Sequence, residues 1–334
     1  MPPPFVPVAP SSAAPPEAVE TAPVPAPLSP RFPALGALAP FAEDPAVTDL
    51  LLDGAGRLWR DAGEGLETLD VPPLAAAEAR RLAVAVVAGG GRHLDDATPA
   101  VDVRLPGGAR AHAVLPPVST AGPLLSIRIA RARPWRLADL QRTGMLTVDE
   151  AEVLRAAVLA KRNVLVCGPA GSGKTSLLAA LMAEVPHDER IVTVEDVAEL
   201  VVDHPHVVGL ETRQPNTDGI GGVDLASLVR QTLRMRPDRI VVGECRGAEV
   251  AELLGALNTG HDGGAGTVHC AHADGLGARL EALGALAGLS VPALRAQALA
   301  AIDLVVLLAR SGGTRRVERI GRLVERSDGA LAVA

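Results

Sequence analysis

Tyrosine is absent from this 334-residue chain, and only three phenylalanines and two tryptophans make up its aromatic content. So few rings leave little surface on which nucleic-acid bases could stack. The formal net charge of -7 at pH 7 supplies no overall basic field to attract a polyanion. Both counts argue against nucleic acid as a partner. Cysteine is scarce as well. Cys167, Cys245 and Cys270 are odd in number and include no C-x-x-C pair, which argues against a disulfide framework or a paired-cysteine zinc site and fits a reducing cytoplasm. No apolar run reaches the roughly 18 to 20 residues that cross a bilayer. The opening MPPPFVPVAPSSAAPPEAVE has neither a basic n-region nor an uninterrupted apolar h-region, so it does not read as a signal peptide. Membrane contact is expected to be peripheral only. Lysine is rarest among the charged residues: Lys161 and Lys174 stand beside thirty arginines.

Lys174 lies in GPAGSGKT, residues 168 to 175, which satisfies G-x-x-x-x-G-K-[ST] in full. Gly168, Gly171 and Gly173 permit turns closed to residues with a Cβ, so successive backbone N–H groups can point inward around phosphate oxygens. A helix starting near Lys174 would add the positive end of its dipole. Lys174 is then placed to reach the β and γ phosphates, and the Thr175 hydroxyl to ligate Mg²⁺. Pro169, Ala170, Ser172 and Ser176 complete the expected nucleotide-binding set. NVLVC (163 to 167) before the loop suits a buried strand, and SLLAALMAEV (176 to 185) after it suits a helix. Strand, loop and helix follow in the required order.

Twelve of the first 33 residues are proline, and such a stretch cannot sustain helical or ladder hydrogen bonds. Residues 1–33 are expected to be a disordered arm. Over 34–131, a helix at 72 to 92 and alternating strands joined by DG-x-G and PGG turns predict a small α+β domain with antiparallel pairing. A linker is expected over 132–145. From 146 to 334, apolar strands alternate with helices, the signature of a mainly parallel sheet covered on both faces. The fold class is thus α/β with a smaller N-terminal α+β domain. Arginines cluster at Arg128, Arg131, Arg133 and Arg136, and again from Arg310 to Arg326, and read as solvated or subunit-facing surfaces.

Three further segments follow the phosphate loop: RIVTVEDVAEL (190 to 200), LRMRPDRIVVGECRGAEV (233 to 250) and NTGHDGGAGTVHCAHA (258 to 273). They resemble the acidic box, Walker B region and histidine box of the secretion ATPases that power type II and type IV secretion and pilus assembly, nearest to the Tad/CpaF branch. The resemblance runs from about Leu35 to the C-terminus. Where this family commonly carries GGTGSGKTT the chain has GPAGSGKTS, and the changed side chains need not touch phosphate. Cys245 and Cys270 replace residues usually aliphatic, and read as buried structural thiols.

The resemblance implies a RecA-like P-loop domain, ATP and Mg²⁺ as ligands, a homo-hexamer, and nucleotide held between the N-terminal and RecA-like domains. It also implies a cytoplasmic motor at the inner face of the membrane, passing movement to a polytopic platform protein. Phosphoryl transfer to water needs a metal, cations and a carboxylate that orients the water. Glu195 and Glu244 both end apolar strands, where ligands bind in parallel sheets. By resemblance Glu195 polarises water while Glu244 supports metal and water, although either carboxylate could do either job. Asp196 and Glu199 are expected to position the box or stay solvated. His269 matches the family's histidine that links nucleotide state to subunit movement; a zinc cluster of His261, His269, Cys270 and His272 fits no usual ligand spacing. Arg110 and Arg128 lie on segments similar to the family's phosphate-reaching strands, and Arg213 and Arg236 are further candidates for such a role. The rival readings are a nucleic-acid translocase on the same core, a non-hydrolysing nucleotide-binding scaffold and a small-molecule kinase.

Overall fold

The computed structural model describes residues 32–334 except 45, 64, 130–133, 214–219, 273–274 and 312–313. The arm expected over 1–33 lies outside the described residues apart from its last two. Phe32, one of those two, is wholly buried in a hydrophobic core, so ordered packing begins slightly earlier than the proline content suggests. The chain divides into two compact units, one ending at Ile129 and the other starting at Ala130.

The first unit is α+β. A 3-10 turn, Pro33–Leu38, leads into α1 (Ala39–Ala42), then β1 (Asp49–Leu52), β2 (Leu58–Asp61), β3 (Leu66–Thr68), α2 (Ala76–Gly89), β4 (Ala100–Arg104), β5 (Arg110–Val114) and β6 (Leu124–Arg128). The six strands form one antiparallel sheet in the order β3-β2-β1-β6-β5-β4. Helix α2 covers it through Ala79, Ala83, Val86 and Val87, a spacing that gathers apolar groups on one face. Strand β3 is exposed along its length, which leaves it no alternation for sequence reading to detect.

The second unit carries α3 (Leu137–Arg142), α4 (Val148–Leu159), β7 (Val164–Gly168), α5 (Lys174–Met182), β8 (Ile191–Glu195), β9 (Val207–Glu211), α6 (Leu225–Thr232) and β10 (Arg239–Cys245). These are followed by α7 (Glu249–Leu257), β11 (Ala265–His269), α8 (Leu276–Leu286), α9 (Val291–Ala301), β12 (Leu304–Ser311), β13 (Thr314–Gly321), β14 (Leu323–Glu325) and β15 (Leu331–Val333). The seven-stranded sheet has the order β13-β12-β7-β11-β10-β8-β9. All its pairings are parallel except β12–β13. Strand β7 is buried throughout, as a central strand covered by helices on both faces must be. One core packs α6 to α9 against the sheet and another packs α3 to α5. The stretch expected as a linker, 132–145, contains α3, whose Leu137 and Leu140 are fully buried in the second of these cores. Its apolar positions were too few for periodicity to mark a helix in advance.

A buried polar knot holds the N-terminal ends of the central strands. Asn163 Oδ1 accepts hydrogen bonds from Gly263 N and Gly264 N at 2.8 and 3.0 Å, and its Nδ2 donates to Ala301 O at 2.8 Å. Beside it the fully buried Arg239 guanidinium bonds Glu189 at 2.6 Å and the carbonyls of Gly263 and Val158. Each buried donor stripped of its acceptor costs about 1–3 kcal/mol. Asn163→Ala orphans two, so it is expected to lower unfolding stability by about 3 kcal/mol, read as a fall in urea midpoint at unchanged m-value.

Candidate nucleotide site

Residues 168–173 turn from the end of β7 into the start of α5 at the C-terminal edge of the parallel sheet. Gly171 and Gly173 hold φ at +69° and +93°, values that a residue with a Cβ adopts only at a cost. Among the described residues, the N–H groups of Ala170, Gly171, Gly173, Lys174, Thr175 and Ser176 have no protein acceptor, whereas Ser172 N donates to Pro169 O at 3.3 Å. Ser172 is itself completely buried and its hydroxyl lacks a partner. Orphan donors concentrated at one helix start form an anion-binding nest. The donor set fits a polyphosphate.

Lys174 Nζ donates to Gly168 O at 3.0 Å and Pro169 O at 3.1 Å, which folds the ammonium back over its own loop. Partial burial lowers its pKa, with the Glu244 carboxylate the largest opposing influence. That places Lys174 and Glu244 in one electrostatic environment.

Glu244 reaches this position through an irregularity in the sheet. The β10–β11 register runs Val241↔Ala265 and Val242↔Gly266, then resumes at Cys245↔Val268. Gly243 and Glu244 therefore oppose Thr267 alone, and Thr267 Oγ1 donates to Gly243 O at 2.6 Å. Such a bulge re-aims a side chain: Glu244 is the one residue of β10 that is not fully buried. Its carboxylate accepts from Arg246 Nη2 at 2.7 Å and lines an open hollow of about 480 Å³ with Arg246, His269, Cys270, Ala271, Gly275 and Arg279. Thr175 stands at the opening of α5, the side chain through which the loop offers a hydroxyl.

Glu195 ends β8, separated from the loop's strand β7 by β11 and β10, and is buried. Its Oε1 accepts from Glu199 N and Leu200 N, both at 3.0 Å, and its Oε2 accepts from Leu200 N at 3.3 Å. A Cβ on Gly243 would lie 2.7 Å from Glu195 Cγ, so that glycine lets the carboxylate cross the neighbouring strand. Glu195 thus fastens the turn of its own box, the task that sequence reading gave to Asp196 and Glu199. Asp196 stays more open, its carboxyl raised by partial burial and by Glu249 and Glu244 against the lowering effect of Arg246. Neither Gly243 nor Thr267 was identified from sequence, because their roles depend on a cross-strand register.

His269 closes β11 opposite Gly168 in register and lines the hollow. His261 instead bonds Ala256 O at 3.3 Å, and Gly275 N donates to the His272 carbonyl. Among the described residues no group of His, Cys, Asp and Glu side chains could hold a metal as a cage. All three thiols are free and buried; burial raises Cys167 and Cys245, while the Cys167 thiol beside Cys270 lowers it.

The arginine candidates separate. Arg110 and Arg128 face each other across β5 and β6 in the first unit. Arg213 forms a bridge with Val223 and its Nε donates to Gly221 O. Arg236, at φ +52°, precedes the N-terminal end of β10. Seven strand residues rising about 3.3 Å each set it roughly 20 Å from the Glu244 end, so it does not join the phosphate loop of its own chain.

Among the described residues no single helix is long and apolar enough to cross a membrane. Comparison with known proteins agrees with the site. Residues 44–322 match the family described as Type II/IV secretion system protein. A Mycobacterium tuberculosis protein named for conjugal transfer is 48% identical over 295 residues, covering 86% of this chain and 84% of that protein. The type IV secretion system protein PtlH of Bordetella pertussis is 33% identical over 315 residues, covering 86% and 92% respectively. Among solved structures, the pilus retraction motor PilT with bound ADP superposes with a TM-score of 0.60 at 22% identity, covering 89% of this chain and 80% of that one. The Legionella pneumophila ATPase DotB gives 0.57 at 20% identity, covering 88% and 77%. These two likenesses establish the fold, a RecA-like core with an N-terminal domain. A family match spanning most of its length, with relatives 48% and 33% identical over most of both chains, shows that the chain belongs to the type II/IV secretion system protein family.

Proposed function

We propose that the chain is an Mg²⁺-dependent ATPase that converts ATP and water to ADP and phosphate to drive a secretion or pilus-assembly machine. The observation that carries this reading is the convergence of six unpartnered loop amides, Lys174 and the bulge-directed Glu244 at one edge of a parallel sheet. Amides and ammonium would bind the phosphates and neutralise charge on the transferred group. Thr175 and Glu244 would hold Mg²⁺, which when bound supplies charge stabilisation at the phosphate oxygens. Glu244, turned toward solvent, is the carboxylate suited to orient water; Glu195, committed to backbone amides, is suited to position its box. His269 would relay nucleotide state, a reading supported by its register opposite Gly168 and its place in the lining of the hollow.

A cytoplasmic homo-hexamer at the inner face of the membrane, acting on a polytopic platform protein, completes the reading. The arm over 1–33, the N-terminal domain over 34–131 and the RecA-like domain over 146–334 are its parts, with Arg110 and Arg128 as phosphate-reaching residues from the N-terminal domain. The test is ATP turnover and particle mass measured with and without single-stranded DNA. Turnover by a hexamer that is indifferent to DNA and only weakly dependent on salt is expected. Strong stimulation by DNA, falling steeply with salt, would favour a nucleic-acid translocase.

A further inference from the structure

The long hairpin of β12 and β13 brings two arginines over the phosphate loop. Arg310 and Arg315 are direct cross-strand partners, so their side chains leave the same face of the hairpin. That face is turned to the loop: Arg310 Nη1 lies 2.7 Å from where a Cβ on Gly171 would stand, and Arg315 Cδ lies 3.6 Å from the same point on Gly173. Strand β12 reaches this place because it pairs with β7 as far as Leu307↔Cys167 and then runs on beside the loop. Glycine at 171 leaves room for the Arg310 guanidinium, since a side chain there would meet it.

The pair is electrostatically unfavourable where it stands. Like charges directly opposite on antiparallel strands destabilise the ladder. Both residues are exposed, and among the described residues neither side chain has an ion-pair or hydrogen-bond partner. Their neighbours are used differently: Arg319 donates to Val333 O at 2.9 Å and braces the C-terminal hairpin, and Arg316, opposite Ala309, falls on the other face by strand alternation. Two uncompensated guanidiniums beside six amide donors create a site for a polyanion, and the planar fork of arginine matches phosphate oxygens.

The geometry points to Arg310 and Arg315 as phosphate-binding residues supplied by the chain's own β12–β13 hairpin, gripping the polyphosphate of a nucleoside di- or triphosphate on the flank of the loop opposite Glu244. This rests on the phosphate-loop reading and adds a second wall to that site. Both arginines fall in the cluster that composition alone assigns to a solvated surface.

The experiment is fluorescence-anisotropy binding of a labelled ADP to the full chain, with unlabelled ADP and AMP as competitors, alongside melting of the nucleotide-free protein. Arg310→Ala and Arg315→Ala are each expected to weaken ADP about tenfold, the loss of one charge-assisted contact, and AMP much less. Lysine at either position should restore part of the affinity. Melting of the nucleotide-free variants should be unchanged or higher, because a repulsion has been removed. ADP affinity within twofold of wild type in both alanine variants overturns the inference. So does an affinity loss accompanied by a lower melting temperature and no recovery with lysine, which would mark a structural role. Lys174→Ala is the control: loss of ADP in that variant alone leaves the phosphate loop standing and removes the arginines, whereas a wild-type protein that binds no ADP defeats both.

Discussion

Lys174→Ala is expected to reduce ATP turnover by roughly 10²–10³-fold or more, the range seen when a preorganised cation or donor is removed from a developing charge. The ammonium is half-buried between the carbonyls of Gly168 and Pro169 and the field of Glu244. Truncation removes the only lysine near the loop, and no neighbouring lysine can replace it. The fold should survive, since the side chain joins neither hydrophobic core of its unit. An unaltered melting curve with phosphate release near the background rate is the expected pair of readings. Turnover near the wild-type rate would remove the loop from the active centre.

Glu244→Gln is the companion experiment, with an expected loss of about 10²–10⁴-fold in kcat, the range for a positioned acid–base group. Glutamine keeps the size and the hydrogen-bonding reach of the side chain but not the charge that faces Lys174 and Arg246. ATP affinity should therefore fall far less than turnover. Glu195→Gln should behave differently. Its amide can keep an acceptor at Oε1 for Glu199 N and Leu200 N, but it loses the charge and sets an NH₂ donor where Oε2 now accepts from Leu200 N at 3.3 Å, so stability and nucleotide affinity should both suffer along with rate. If Glu195→Gln instead leaves stability intact and abolishes only turnover, the water-orienting role passes from Glu244 to Glu195.

The phosphate loop was legible because its constraints are local. Three glycines, a lysine and a hydroxyl at fixed spacing, with a strand before and a helix after, leave little else for the chain to do, and β7 and α5 stand there. Parallel α/β alternation was legible for the same reason, since β7, β8 and β10 are apolar runs buried on both faces. What escaped was set by register. Nothing in GECRG foretells that Gly243 and Glu244 share Thr267 as partner, and the Asn163 and Arg239 knot joins residues about a hundred and about fifty positions apart. Arg310 and Arg315 read as surface charge until the hairpin sets them opposite each other beside Gly171. Strand β3 and helix α3 escaped because short elements carry too few side chains to show a period.

Phosphate release from ATP by the purified wild-type chain, measured with Mg²⁺ and with a chelator while ADP binding is followed in parallel, tests the central claim most directly. The account predicts Mg²⁺-dependent release that disappears in Lys174→Ala. Tight ADP binding with no phosphate release under any of these conditions would contradict it and leave a nucleotide-binding scaffold in place of a motor.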